Sequence, residues 1–121
     1  MTGPWEIEET EDVAMWLTQL TDTQRAAVES RLLLVRSLGP AVSRPYVDTL
    51  RGSAIKNLKE LRVSSGGAIR VLFVFDPKRR AVLLLGGNKA ESSRWNDWYR
   101  TAIPRAEQLF REHLERMEAG S

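Results

Sequence analysis

Four charged side chains, Lys59, Glu60, Arg62 and Arg70, fall on the strand-like halves of the stretch LKELRVSSGGAIRVLFVFD, residues 58–76, which ends in Asp76. Apolar and polar positions alternate there on both sides of a Ser-Ser-Gly-Gly turn, and alternation sends successive side chains to opposite faces of a strand. Glu60 and Arg62 therefore share a face with Leu58, while Lys59 falls on the other with Leu61 and Val63. In the second segment Arg70 shares a face with Leu72 and Val74, and Ile69, Val71, Phe73 and Phe75 point the other way. A carboxylate between two arginines supports two readings. It neutralises them in a solvated ion network on a sheet, or the arginines hold a phosphate while a neighbouring carboxylate or amine moves a proton. Lys89, after the next apolar run, closes the group from its end, and Lys56 stands at the near rim. Arg94, Trp95, Trp98, Tyr99 and Arg100 mix cations with aromatics, a combination that stacks bases of single-stranded RNA. Trp95, Trp98 and Tyr99 at i, i+3 and i+4 equally make a helix packing face, with the Tyr99 hydroxyl the group best able to reach a phosphate. His113, midway along the last amphipathic segment, reads as a surface or packing residue.

The remaining composition narrows the chemistry. With no cysteine and one histidine, thiolate nucleophiles, disulfides and multi-histidine metal sites are excluded. Reactivity must come from Lys, Arg, Glu, Asp, Tyr or Ser, and no metal or cofactor is expected. No window approaches the roughly 18 uninterrupted apolar residues of a membrane span, and the acidic start MTGPWEIEETEDV lacks the basic flank of a signal peptide. A cytoplasmic chain that avoids membranes is expected. The formal net charge of +2 conceals a strong asymmetry: residues 44–100 carry twelve basic and five acidic groups, whereas residues 1–43 carry three and seven. The cation excess thus coincides with the strand segments, and a polyanion is the natural partner.

The elements that must position these groups follow from periodicity. At 121 residues the chain is expected to form a single domain over residues 1–121. Trp5–Glu9 alternates as a short edge strand with Trp5 and Ile7 inward. Val13, Trp16, Leu17 and Leu20 repeat at helical spacing. Thr21 with Gln24 has the form of a capping box, and Val28, Leu32, Val35 and Leu38 continue on one face until Gly39-Pro40 stops the helix. Residues 41–57 hold no period and read as loop with a partial turn. Strands are expected at Leu58–Val63, Ala68–Phe75 and Ala81–Leu85, joined by short turns as an antiparallel meander. One face of the middle strand should be core and the other, bearing Arg70, the floor of a cleft. Pro104 fits badly inside a helix, so the last helix should begin near it, with Ala106, Leu109, Phe110 and Met117 buried. The fold class is α+β: an N-terminal helical hairpin and a C-terminal helix on a small, mainly antiparallel β-sheet.

The order and spacing of Leu50-Arg51-Gly52, Lys56, Glu60-Leu61-Arg62, Arg70-Val71-Leu72-Phe73 and Asn88-Lys89 resembles the RelE/ParE toxin superfamily, most closely its HigB-like, phage-derived branch, from about Trp5 to Leu114. The resemblance implies a toxin of a toxin–antitoxin module that enters the ribosome and cuts mRNA without a metal. It also implies a HigA-like helix-turn-helix antitoxin as partner. In that reading Arg70, Arg62, Glu60, Lys89 and Tyr99 are the catalytic candidates, and Lys56, Lys59, Arg94 and Trp98 contact RNA. Where RelE carries two lysines on the cleft face of the first hairpin strand, this chain has Leu58 and Glu60, so Glu60, Lys56 and Lys59 become the candidates for the base. The gyrase-inhibiting ParE branch and a catalytically decayed binding module are the alternatives.

Overall fold

The computed structural model describes residues 4–64, 68–88 and 95–120. Strand β1 (Glu6–Glu9) is followed by helices α1 (Glu11–Thr18) and α2 (Asp22–Leu38) and a short 3-10 turn (Gly39–Ala41). Strands β2 (Val47–Thr49), β3 (Lys59–Val63), β4 (Ile69–Phe75) and β5 (Arg80–Asn88) come next, and helix α3 (Trp95–Ala119) completes the order. The five strands form one sheet in the order β1-β5-β4-β3-β2. β1 runs parallel to β5, and the other pairs are antiparallel. This is the α+β arrangement expected from the sequence.

Local signals set the hairpin. The Thr10 side chain accepts from the Val13 N–H to start α1. Both halves of the Thr21–Gln24 capping box form, at 3.1 and 3.0 Å, a device that stabilises a helix start by about 1 kcal/mol. α2 ends at Gly39, whose φ of +57° favours glycine and whose N–H reaches the Val35 carbonyl.

The sheet is covered on both sides. On one face Val13, Val28 and Val35 from the hairpin pack with Leu61, Val71 and Phe73. On the other, Ala102, Ala106 and Leu109 of α3 pack with Leu58, Leu72, Val74 and Leu84. The expected cleft floor is therefore mostly a second core. α3 covers Leu72 and Val74, and the charged side chains sit beyond this apolar patch.

Three further expectations change. The segment read as loop contains β2, whose three residues are too few to show a period. Pairing with β3 holds it in place and sets Val47 opposite Leu61 and Asp48 opposite Glu60. β5 runs on through Gly86 and Gly87. A Cβ on Gly86 would lie 2.2 Å from Trp16 of α1, and one on Gly87 2.5 Å from Trp98 of α3, so these glycines seat an indole on each side of the strand. Finally, α3 contains Pro104 in its interior. The proline and Arg100, whose carbonyl it leaves without an N–H partner, both lie on the exposed face, while Ala102 and Ala106 face the core.

His113 is buried. Its Nε2 lies 3.0 Å from an Asp76 carboxylate oxygen and its Nδ1 3.0 Å from Glu8, which ties α3 to β1 and to the β4–β5 turn. Asp76 also accepts from the backbone N–H groups of Lys78 and Arg80 and from the Arg80 guanidinium, at 2.9, 3.0 and 2.7 Å. Burial pushes the Asp76 carboxyl up, but the hydrogen bonds from His113, Arg80 and the turn backbone together outweigh it and hold it below its ordinary value of 3.8. A carboxylate depressed in the folded state contributes stability that is complete above its unfolded pKa and is lost as pH falls through the folded one. Asp76→Asn should therefore cost about 2 kcal/mol at neutral pH, and the gap from wild type should close as acid is added below the ordinary carboxylate range. Urea midpoints measured down the acid limb check this; a gap independent of pH would contradict it.

Candidate active site

The β3–β4 register places Arg62 directly opposite Arg70. Both lie on the face that carries Glu60, which is opposite Leu72. The Arg62 Nε donates to Glu60 Oε1 at 3.0 Å, and the Arg70 Nε lies 4.0 Å from the same oxygen. The Tyr99 hydroxyl, reaching in from α3, donates to Glu60 Oε2. Glu60 is wholly buried, whereas the Arg62 side chain is 41% exposed and that of Arg70 21%. The carboxylate thus lies beneath the two guanidinium groups, which reach a pocket of about 270 Å³ at the turn end of β3 and β4. Asp48 of β2 extends the chain of charge: it pairs with Arg62 at 3.5 Å and Arg44 at 3.0 Å, and the Arg44 hydrogen bond lowers its carboxyl below the usual value.

The electrostatics follow from this layering. The hydrogen bond to Glu60 raises Arg62, so the guanidinium stays charged. Burial first, then the hydrogen bond to the Glu60 carboxylate, pushes the Tyr99 phenol far above its ordinary value, so its proton stays in place at neutral pH. The group can offer an anion two positively charged forks with geometry suited to phosphate oxygens, and it holds one hydroxyl backed by a carboxylate.

Of the sequence-predicted site residues, the fold brings together Arg70, Glu60, Arg62 and Tyr99. Glu60 is not positioned as a base open to substrate, because its oxygens are engaged by Tyr99 and Arg62 and none of its surface reaches solvent. Lys59 lies on the opposite face, where its Nζ donates to Thr49 Oγ1 at 2.7 Å, as its place one residue from Glu60 in an alternating strand requires. Trp98 is half-buried: it packs on Gly87 and against the α3 core, with its ring 5.1 Å from that of Tyr99. Lys56 is exposed in the turn before β3. Lys89 and Arg94 lie outside the described residues. Sequence reading missed Asp48 and Arg44, because their role depends on the unrecognised strand β2. It also missed Arg31 and Tyr46, which line the same pocket from α2 and from the approach to β2.

The profile of the phage-derived protein Gp49-like family (DUF891) matches residues 15–111. The chain belongs to this family. Over 110 residues it is 43% identical to HigB2 of Mycobacterium tuberculosis, named as a candidate toxin; the match covers 89% of this chain and 54% of HigB2, so the chain spans about half the length of that relative. HigB3 of the same organism, also named as a candidate toxin, is 44% identical over 96 residues, covering 79% of this chain and 82% of its own. The free-state structure of a mutant of the E. coli toxin RelE superposes with a TM-score of 0.61 at 16% identity, covering 84% of this chain and 97% of that one. The Gp49-like chain thus has a RelE-like fold and HigB-like relatives, as the motif order implied. No helix among its described residues is long and apolar enough to cross a membrane.

Proposed function

We propose that this Gp49-like protein is the toxin of a toxin–antitoxin module and cuts mRNA on the ribosome by metal-independent transesterification. The observation that carries the reading is the convergence of Arg62 and Arg70 from adjacent strands above Glu60, with the Tyr99 hydroxyl on that carboxylate. In the proposed step the ribose 2′ oxygen attacks the adjacent phosphorus. The P–O5′ bond breaks, leaving a 2′,3′-cyclic phosphate and a 5′ hydroxyl. The two guanidinium groups stabilise the charge that builds on the phosphorane oxygens, which is the largest contribution such a site makes.

Tyr99 is too weak an acid to act as a phenolate, so its part is a relay. Its oxygen accepts the 2′ proton as its own proton passes to Glu60; the leaving 5′ oxygen takes a proton from water, and the hydroxide left is neutralised when the relay runs back from Glu60 through Tyr99. This gives Glu60 a role from beneath the surface and removes the need for the lysine pair that the sequence lacks. The partners in this reading are the ribosome with its mRNA and an antitoxin that restrains the toxin.

Induction of the chain followed by mapping of transcript 5′ ends tests the proposal. New ends phased with codons, carrying 5′ hydroxyls, are expected within minutes of arrest. DNA damage with intact transcripts would replace this reading with gyrase inhibition, and harmless expression of folded protein would sink both.

A further inference from the structure

The pocket beneath the turn end of β3 and β4 has a third guanidinium wall. Arg31 of α2 lines it with Tyr46, Arg62, Ser64 and Arg70, and no acidic residue lies on its surface. The Arg31 guanidinium carbon lies over the Tyr46 ring, 4.5 Å from its centroid. Its Nε is buried without a hydrogen-bond partner, and it joins no ion pair among the described residues. Two of the three arginines already have Glu60 nearby to offset their charge. Arg31 has no such carboxylate, so a cavity walled by three cations is short of negative charge on its α2 side. Arg31 lines the pocket without a carboxylate of its own, so an anion that enters would offset its charge as Glu60 offsets that of Arg62.

We infer that Arg31 and Tyr46 form a second nucleotide subsite, which takes the phosphate next to the scissile one on the same RNA strand. This rests on the proposed nuclease reading, because Arg62 and Arg70 line both the reaction centre and this pocket. A strand held by them continues into a space of about 270 Å³, just below the roughly 300 Å³ at which pockets for larger ligands begin, which suits a single nucleotide. Arg31 is the phosphate contact. Tyr46 is a positioning residue that holds the guanidinium by cation–π contact.

The test measures binding of the intact protein to a short single-stranded RNA made uncleavable by 2′-deoxy sugars, across a range of salt concentrations. It also measures single-turnover cleavage on mRNA-programmed ribosomes. Arg31→Gln, which retains much of the side-chain stem, should weaken binding about tenfold and reduce the slope of log K against log salt by about 0.7, the share of one single-strand phosphate contact. The toxin concentration that gives half-maximal single-turnover cleavage should rise by about the same factor, the mark of lost binding. Tyr46→Ala should show the same loss, and Tyr46→Phe, which keeps the ring, should restore wild-type affinity and slope.

Wild-type affinity and slope in Arg31→Gln would overturn the subsite even if cleavage is robust, as would a loss confined to antitoxin binding. Altered binding by Arg31→Gln in a protein that cleaves no RNA would leave the subsite standing and remove the nuclease reading instead. Failure of the wild-type protein to bind RNA would overturn the subsite directly.

Discussion

Arg70→Ala should abolish growth inhibition on induction and leave a folded protein. The backbone of residue 70 stays paired with Arg62 and Gly87 on its two sides. Arg62 still donates to Glu60 when Arg70 is removed, so the buried carboxylate keeps a charged partner and the fold is expected to hold. What it removes in the proposed mechanism is one of the two fixed cations facing the developing phosphorane, and deletion of one such group lowers turnover by about two to three orders of magnitude. Arg70→Lys should recover only part of the activity, because an ammonium cannot grip two phosphate oxygens as a planar fork does. Arg111→Ala, on the exposed face of α3, is the control and should remain toxic. The measurements are colony counts after induction, single-turnover cleavage, and circular dichroism to establish folding. Full toxicity in a soluble Arg70→Ala protein would remove the site from consideration.

Glu60→Ala should do what Arg70→Ala does not, and destabilise the fold. Glu60 is a wholly buried carboxylate that accepts from Tyr99 and Arg62. Removing it leaves the Tyr99 hydroxyl without its acceptor and two guanidinium groups facing each other across adjacent strands. Breaking a buried pair on one side costs about 3–5 kcal/mol. The partial exposure of both arginines puts the expectation near about 3 kcal/mol, which is a drop in Tm of roughly 10 °C for a chain of this size. Glu60→Gln keeps an acceptor for Tyr99 and should melt much closer to wild type. It should still be inactive, because an amide cannot take the relayed proton. Thermal melts paired with cleavage assays separate these roles. A Glu60→Ala melt within about 2 °C of wild type would mean that the carboxylate is not holding the group together.

The sequence made the hairpin layer legible because capping chemistry and spacing agree there: Thr21, Gln24 and Gly39 mark boundaries that the structure keeps. The β3–β4 pair was legible for the same reason, and alternation alone places Glu60, Arg62 and Arg70 on one face. Depth was not legible. Alternation says which side a residue faces and nothing about what lies over that side, so Leu72 and Val74 passed for a cleft floor until α3 was seen to cover them. The same blindness made Glu60 a candidate for an open base. Pro104 misled because the rule against proline inside helices weakens where the abandoned carbonyl can reach water. Asp48, Arg44 and Tyr46 were missed together, since all three depend on a three-residue strand defined only by its neighbour. His113 gave no signal of its own, for its partners Glu8 and Asp76 lie 105 and 37 positions away along the chain.

Gly86 and Gly87 leave β5 without bulk at the point where an indole presses on it from each side, and Gly87 is the residue opposite Arg70 in the β4–β5 register. The two tryptophans act as a rivet through the sheet. Neither helical layer can slide along the strand without lifting a ring from its seat, and the Arg70 guanidinium inherits that immobility through its backbone. Accuracy at this site is therefore set by hydrophobic fit as well as by charge, and a single added methyl group at position 87 would detune it while every ionised side chain stayed in the chain.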